Sequence, residues 1–342
     1  SFLPEDSIDN ENLLEFLNAC KYEVMKSEKN GLRSSSLATN EKWNIWLTNE
    51  YYPSSYTDVN EINEISNLLY LPSINAAIEW AQKGCDGEIN TLTYKNDTWT
   101  QTNNNLHGIS YNIMMPPVDG CREHAVAGCV PTALAQVMRK WEWPNSVSYT
   151  YKGEQYESTY NWDSMPARLS VNSSINSSKE ISTLLRDCGY MLDVNYKCSG
   201  TGVAFERIYD LLVRPGLINY NAYGNIYTDE YSKRYSRDDS DTYSISEWTG
   251  LVLTELIAGR PVILASATDY NAHSYIISGF QKKEDGYYFY VNFGWGDSSD
   301  GYYNMDFTTN YYMKENRKAA LIGFSPQKEN ESHLHDIYAE CT

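Results

Sequence analysis

The chain has no run of apolar residues approaching the ~18 that a membrane-spanning helix needs, so no such helix is expected. Basic residues are scarce: 27 Lys and Arg stand against 45 Asp and Glu, a formal net charge of −18. Binding to phosphates requires clustered positive charge, which argues against nucleic acid or anionic membrane surfaces as partners. The seven cysteines include no Cys-x-x-Cys pair, so a zinc site has little support and no metal or other cofactor is expected. Their number is odd, which leaves at least one thiol unpaired unless another chain supplies a partner. Pairing among the rest is not readable from the spacing. Only five histidines are present, so a general base has few candidates: His107, His124, His273, His333 and His335. No secretory leader is visible, and SFLPEDSIDN reads as a trimmed or processed start.

What is present describes a globular chain. Its 342 residues suffice for one large or two ordinary domains. Thirty tyrosines and nine tryptophans suggest a β-rich, aromatic-packed protein with a groove for peptide or sugar.

Helical periodicity comes first along the chain. Leu13, Leu17, Cys20 and Val24 mark one amphipathic stretch, and 62–80 another that Pro72 divides. A boundary is placed near residue 90, after the Cys85-Asp86-Gly87 turn. Residues 92–128 are loop-like, and 145–176 are polar and aromatic with little period. Helices are predicted over 179–188, with Gly189 as a C-terminal stop, over 203–213, and from 246 to Gly259. Residues 261–267, 273–280, 287–293, 302–307 and 319–324 read as strands, with Asp285-Gly286 turning a hairpin. Helices first and antiparallel strands last is the α+β layout.

Between the two regions lies GCVPTALAQVMRKW, residues 128–141. Pro131 suits a first helical turn, and Leu134, Val137 or Met138, and Trp141 form one buried face that leaves out Gln136, Arg139 and Lys140. The residue before Pro144 is pushed out of helical geometry, which ends the helix. Cys129 therefore opens a helix, where unpaired N–H groups and the macrodipole favour an anion and lower a thiol's pKa. Cysteine is also among the most buried residue types, so position alone favours packing.

A cysteine nucleophile needs a base, and the base needs an orienting group. His333 and His335 fall in a polar tail, His107 in a loop, and His124 five residues before Cys129 on the same loop. His273 opens the apolar run SYIISGF, where a solvated polar residue has no packing reason to be. A cysteine opening a helix with a histidine on a later strand is the papain-type arrangement. Asn292 is the natural orienter, and Gly294-Trp295-Gly296 would let a ring lie over the site.

With these residues in view, GCVPTALAQVMRKWEWP resembles the nucleophile segment of the streptopain family of bacterial cysteine peptidases. HSYIISGF resembles that family's histidine strand, and YFYVNFGWGDSSDGYY its Val-Asn-Trp-Gly-Trp-Gly-Gly-x-x-Asp-Gly-Phe hairpin. TWTQTNNNLHGISYN is similar to the opening of the mature enzyme. SSKEISTLLRDCGYMLDVNYKCSGTGV is similar to the helix and glycine-rich substrate loop. The likeness runs from residue 92 to 326 in the same order.

The resemblance implies a papain-like fold, α+β, with a helical part carrying the nucleophile packed on an antiparallel sheet part carrying the histidine. It implies a secreted or surface-located endopeptidase, made as a zymogen, acting on protein or peptide substrates without a metal. Carried over by position, Cys129 is nucleophile, His273 base and Asn292 orienter. Gly128, Phe293, Trp295, Ser199 and Gly200 form the walls. Residues 1–91 become an N-terminal extension or partial pro-segment acting in cis, 92–328 the peptidase domain and 329–342 a polar tail.

Three departures stand out. Phe293 replaces a tryptophan, Pro131 replaces an alanine, and Glu123 occupies the position, six residues before the cysteine, where papain-type enzymes carry an oxyanion-donating glutamine. An ionised carboxylate cannot donate, and losing one such donor costs about 3–4 kcal/mol of transition-state stabilisation. Rival readings are a catalytically weak homologue serving as a surface-binding module, a Cys-His amidase acting on cell-wall peptides, and a structural adhesin.

Overall fold

The computed structural model describes residues 91–326 except 94–96, 103–107, 122–123, 213, 215, 223, 229–241, 268–271, 285 and 305–317. The expected N-terminal helices, the boundary near 90, Glu123, His107, the C-terminal tail with its two histidines, and Asp285 of the hairpin turn lie outside the described residues.

A sheet organises the chain. Strands β1 (Thr91–Thr93), β5 (Gly224–Thr228), β6 (Thr242–Tyr243), β7 (Val262–Ala267), β8 (Ala272–Lys283), β9 (Gly286–Asn292), β10 (Gly301–Asn304) and β11 (Lys318–Ile322) form it in the order β10-β9-β8-β7-β11-β5-β6, with β1 also paired to β8. All neighbours are antiparallel except β5 and β6. Successive side chains on a strand point to opposite faces. Ile263, Ala265 and Ile276 accordingly join one core, while Val262, Leu264, Tyr275 and Ile277 join another.

The first core holds helix α1 (Cys129–Trp141) and helix α2 (Ile175–Met191). Ser174 caps α2, its hydroxyl accepting from the Ser177 N–H. Ile181, Leu184, Leu185 and Cys188 form its fully buried face, each large aliphatic contributing roughly 1.5–3 kcal/mol of transfer free energy. Helix α3 (Arg207–Leu212) is shorter than its predicted span. Helix α4 (Ile245–Ile257) packs on the opposite face through Trp248, Val252 and Leu256. The sheet is therefore covered on both sides, which explains why β7 and β8 read as continuous apolar runs.

Three expectations give way. Residues 146–159 form a hairpin, β2 (Ser146–Tyr151) with β3 (Glu154–Thr159), turning at Lys152-Gly153, where both residues have positive φ. Its period-two signal was carried by Val147 and Tyr149 among polar residues, too thinly to stand out. Gly189 does not stop α2, which continues to Met191; a Cβ there would come within 2.0 Å of the Tyr196 hydroxyl, so glycine serves a close approach. Gln136, assigned to the exposed side of α1, is only 4% exposed.

Candidate active site

Cys129 is the first residue of α1. Gly128 before it has φ 87°, and a Cβ there would lie 2.5 Å from the Thr201 carbonyl oxygen, so only glycine allows this entry into the helix. The Gly128 carbonyl accepts from both the backbone N–H and the hydroxyl of Thr132, fixing the first turn.

One extended segment ties the helix entrance to the hairpin after β9. Gln101 N–H donates to Gly294 O at 2.9 Å, Gly296 N–H donates to Trp99 O at 3.2 Å, and the Gln101 carbonyl accepts from Gly128 N–H at 3.5 Å. Gln101 therefore stands between the residue preceding Cys129 and the loop carrying Trp295. Its side-chain Oε1 is buried without a hydrogen-bond partner among the described residues.

His273 lies near the start of β8 and is 5% exposed. Its Nε2 is 2.9 Å from the Phe293 carbonyl oxygen. A carbonyl only accepts, so Nε2 carries the proton and Nδ1 is left as the basic nitrogen. The Trp295 ring stacks on the imidazole at 4.8 Å and on Phe293 at 4.9 Å. The backbone N–H of Ser274, next to the histidine, reaches the Cys129 sulfur. The α1 entrance and the start of β8 thus meet at the thiol.

Among the described residues, the hydrogen bonds of Asn292 run to partners other than the imidazole. Its Oδ1 accepts from Gly294 N–H at 2.9 Å, and its Nδ2 donates to Gln136 Oε1 at 3.1 Å and to the Asp97 carbonyl. The Phe293–Gly294 peptide stands between: its N–H meets Asn292 and its C=O meets His273. The bond to His273 uses the main-chain carbonyl, so the side chain at 293 does not enter it. The Phe293 ring itself is fully buried among His273, Tyr275, Trp295 and Tyr303.

The electrostatics also differ from expectation. Burial pushes the Cys129 thiol up, and the backbone groups of Ser274, Val130 and Cys129 oppose this only in part. The helix entrance does favour the anion, but desolvation is the larger effect. Burial lowers His273 to about 4, against a smaller upward pull from the Phe293 carbonyl.

Ser199 and Gly200 are exposed on the loop that leads to Thr201, whose carbonyl lies against Gly128. Val126 N–H donates to Lys197 O, the Thr201 hydroxyl donates to Val126 O, and a disulfide joins Cys121 to Cys198. His124 is occupied elsewhere, its Nδ1 2.8 Å from Met115 O. A cavity of about 510 Å³ opens beside Trp295, lined by Thr98, Thr100, Thr102, Tyr111 and Arg168. Among the described residues, no three or more His, Cys, Asp or Glu gather to hold a metal.

Sequence reasoning missed Gln101 and Gln136. The first sits inside TWTQTNNN, already among the family-like stretches, and an amide there was the available signal. The second was hidden by helical periodicity, which assigns faces by polarity.

Residues 99–303 match the model of the peptidase C10 family. The chain belongs to that family. Among curated relatives, the thiol protease/hemagglutinin PrtT of Porphyromonas gingivalis is 27% identical over 211 residues, 58% of this chain and 22% of that protein. Streptopain of Streptococcus pyogenes is 26% identical over 224 residues, 58% of this chain and 52% of that protein. The chain thus spans about half of streptopain and about a fifth of PrtT. Active interpain A cysteine protease of Prevotella intermedia superposes with a TM-score of 0.52 at 22% identity, covering 69% of this chain and 95% of that one. A prointerpain A fragment gives 0.51 at 21%, covering 74% and 81%. The fold is the papain-like one of these cysteine proteases, in the α+β arrangement expected.

Proposed function

We propose that this chain is a secreted cysteine endopeptidase in which Cys129 is nucleophile and His273 the base. The observation that carries the reading is the His273 Nε2–H bond to Phe293 O, which puts the ring proton on Nε2 and makes Nδ1 the basic nitrogen, together with the Ser274 N–H at the Cys129 sulfur. Burial acting on each group alone favours neutral thiol and neutral imidazole. Proton transfer between them creates opposite charges side by side, and their attraction offsets the desolvation that each would suffer alone.

Nδ1 takes the thiol proton as sulfur attacks the peptide carbonyl carbon, and the C=O electron pair moves onto oxygen. The backbone N–H of Cys129 and the side-chain amide of Gln101 stabilise that oxyanion. Gln101 thus supplies the donor that Glu123 could not. Collapse expels the amine, which His273 protonates, leaving a thioester. Water then attacks with His273 accepting its proton, releasing the acid and restoring the thiol. Asn292 works one peptide removed, holding the Phe293–Gly294 amide whose oxygen orients the ring. Ser199 and Gly200 flank the acyl part of the substrate. The leaving segment passes Trp295 toward the hydroxyl-lined cavity, because the departing amine must lie beside His273.

The Cys121–Cys198 disulfide supports an oxidising, extracellular setting. Residues 1–91 are read as a partial pro-segment.

Hydrolysis of casein and a fluorogenic peptide panel by the full chain tests this reading. Hydrolysis should vanish in Cys129→Ala, and iodoacetamide at neutral pH should alkylate Cys129 first. Persistent hydrolysis in Cys129→Ala, or preferential labelling of another cysteine, would sink it. Cleavage confined to cell-wall peptides would favour the amidase reading.

A further inference from the structure

Phe293 makes two backbone hydrogen bonds in opposite directions. Its carbonyl meets His273 Nε2, and its N–H donates to Asp300 Oδ1 at 2.9 Å. The loop between these residues needs an anchor. Gly294, Gly296, Asp297 and Ser299 all have φ between 67° and 70°, and left-handed conformations are unfavourable for the two that are not glycine. Asp300 immediately precedes Gly301, which pairs with Val291 at the start of β10. Its carboxylate therefore reaches back across the hairpin mouth and closes the loop that carries Phe293 and Trp295.

We propose that Asp300 is a positioning residue for the peptidase reaction: by holding the Phe293 N–H it sets the Phe293 carbonyl that orients the His273 ring. The inference rests on the Cys129–His273 reading above. Burial and neighbouring Asp297 raise the Asp300 carboxyl to about 6, while the Phe293 N–H pulls the other way, so a desolvated carboxylate is kept at this spot by that bond. Tyr290 and Tyr303 are its other titratable neighbours.

The test compares wild type, Asp300→Ala and Asp300→Asn as full chains. Two quantities are read: kcat and KM on a fluorogenic peptide, and the pH profile of the Cys129 alkylation rate with iodoacetamide. Losing one such bond should lower kcat about tenfold in Asp300→Ala with KM within about twofold. The alkylation profile of Asp300→Ala should shift as the imidazole loses its fixed orientation. Asp300→Asn should recover most of kcat and the wild-type profile, because its amide oxygen accepts the same N–H. The proposal is overturned if Asp300→Ala matches wild type in both readouts, if KM rises by as much as kcat falls, or if Asn gives no rescue. Near-isosteric Asp300→Leu replaces Ala should Ala not fold; unfolding of both would mean that the carboxylate holds the fold rather than the histidine. Should wild type hydrolyse no peptide, the function proposal fails, while the alkylation profile still decides whether Asp300 governs the Cys129–His273 pair.

Discussion

Asn292 Nδ2 donates to Gln136 Oε1 at 3.1 Å, joining the strand that ends beside His273 to the helix that begins with Cys129. The same Oε1 accepts the Trp99 N–H at 3.2 Å, so one buried amide holds three separate parts of the chain in register.

Removing that amide should be costly twice over. Gln136→Ala strands the Trp99 N–H and the Asn292 amide in a dry site, a loss of about 2–3 kcal/mol per unsatisfied group at the upper end. Urea unfolding should show a lower midpoint, and kcat should fall more than KM rises. A midpoint equal to wild type would contradict the hub role.

Gly128→Ala puts a methyl group against Thr201 O and a side chain at φ 87°. Strain of about 1–3 kcal/mol is expected. The helix entrance can relieve it only by moving the Cys129 N–H and sulfur, so peptide hydrolysis should drop while the far-UV CD spectrum stays the same. Normal turnover in a folded variant would refute the tight approach.

Acid sensitivity follows from two opposed titrations. His273 falls from 6.5 in the open chain to about 4 when folded, so the unfolded chain binds the extra proton between those values. Its contribution, about 3 kcal/mol at roughly 1.4 kcal/mol per pKa unit, is present above pH 6.5 and lost as pH drops toward 4. Asp300 runs the other way: its folded pKa rises from 3.8 to about 6, so its contribution is present below 3.8 and lost as pH rises through 6. Wild type should therefore show a shallow stability profile from pH 4 to 6, and Asp300→Asn a steeper fall toward acid. Urea titrations at several pH values check this; parallel profiles would disprove it.

The Cys121–Cys198 bridge closes a loop with a sequence separation of 77, for which chain entropy alone gives roughly 4.5 kcal/mol. It also ties the loop of Ser199 and Gly200 to the segment ahead of Cys129. Cys198→Ser, or strong reductant, should lower the unfolding midpoint and raise KM while Cys129 stays alkylatable. An unchanged KM after verified reduction would separate the bridge from the substrate wall.

Much of the scaffold was legible because its cues are local. Pro131 in a first turn and the apolar run after His273 mark α1 and β8 without knowledge of any neighbour. The β2–β3 hairpin escaped because only Val147 and Tyr149 carry its alternation. Asn292 was expected to face His273, whereas its amide bonds Gly294, Gln136 and Asp97, since the direction of that amide depends on how residues 293–296 turn. The polarity of Gln136 pointed outward, yet a helix face buried against polar partners accepts an amide as readily as a leucine.

By itself the sequence determined which reactive groups exist and in what order: one thiol at a helix entrance, one histidine opening an apolar strand, and an asparagine ending the next strand. Those are consequences of propensity and spacing, which act over a few residues. Only the tertiary structure decided that a Phe293 carbonyl meets His273, that Gln101 bonds the Gly128 N–H just before Cys129, that Cys121 pairs with Cys198, and that burial raises the thiol. Each depends on segments distant in sequence meeting at hydrogen-bond range, and on how completely they exclude water when they meet.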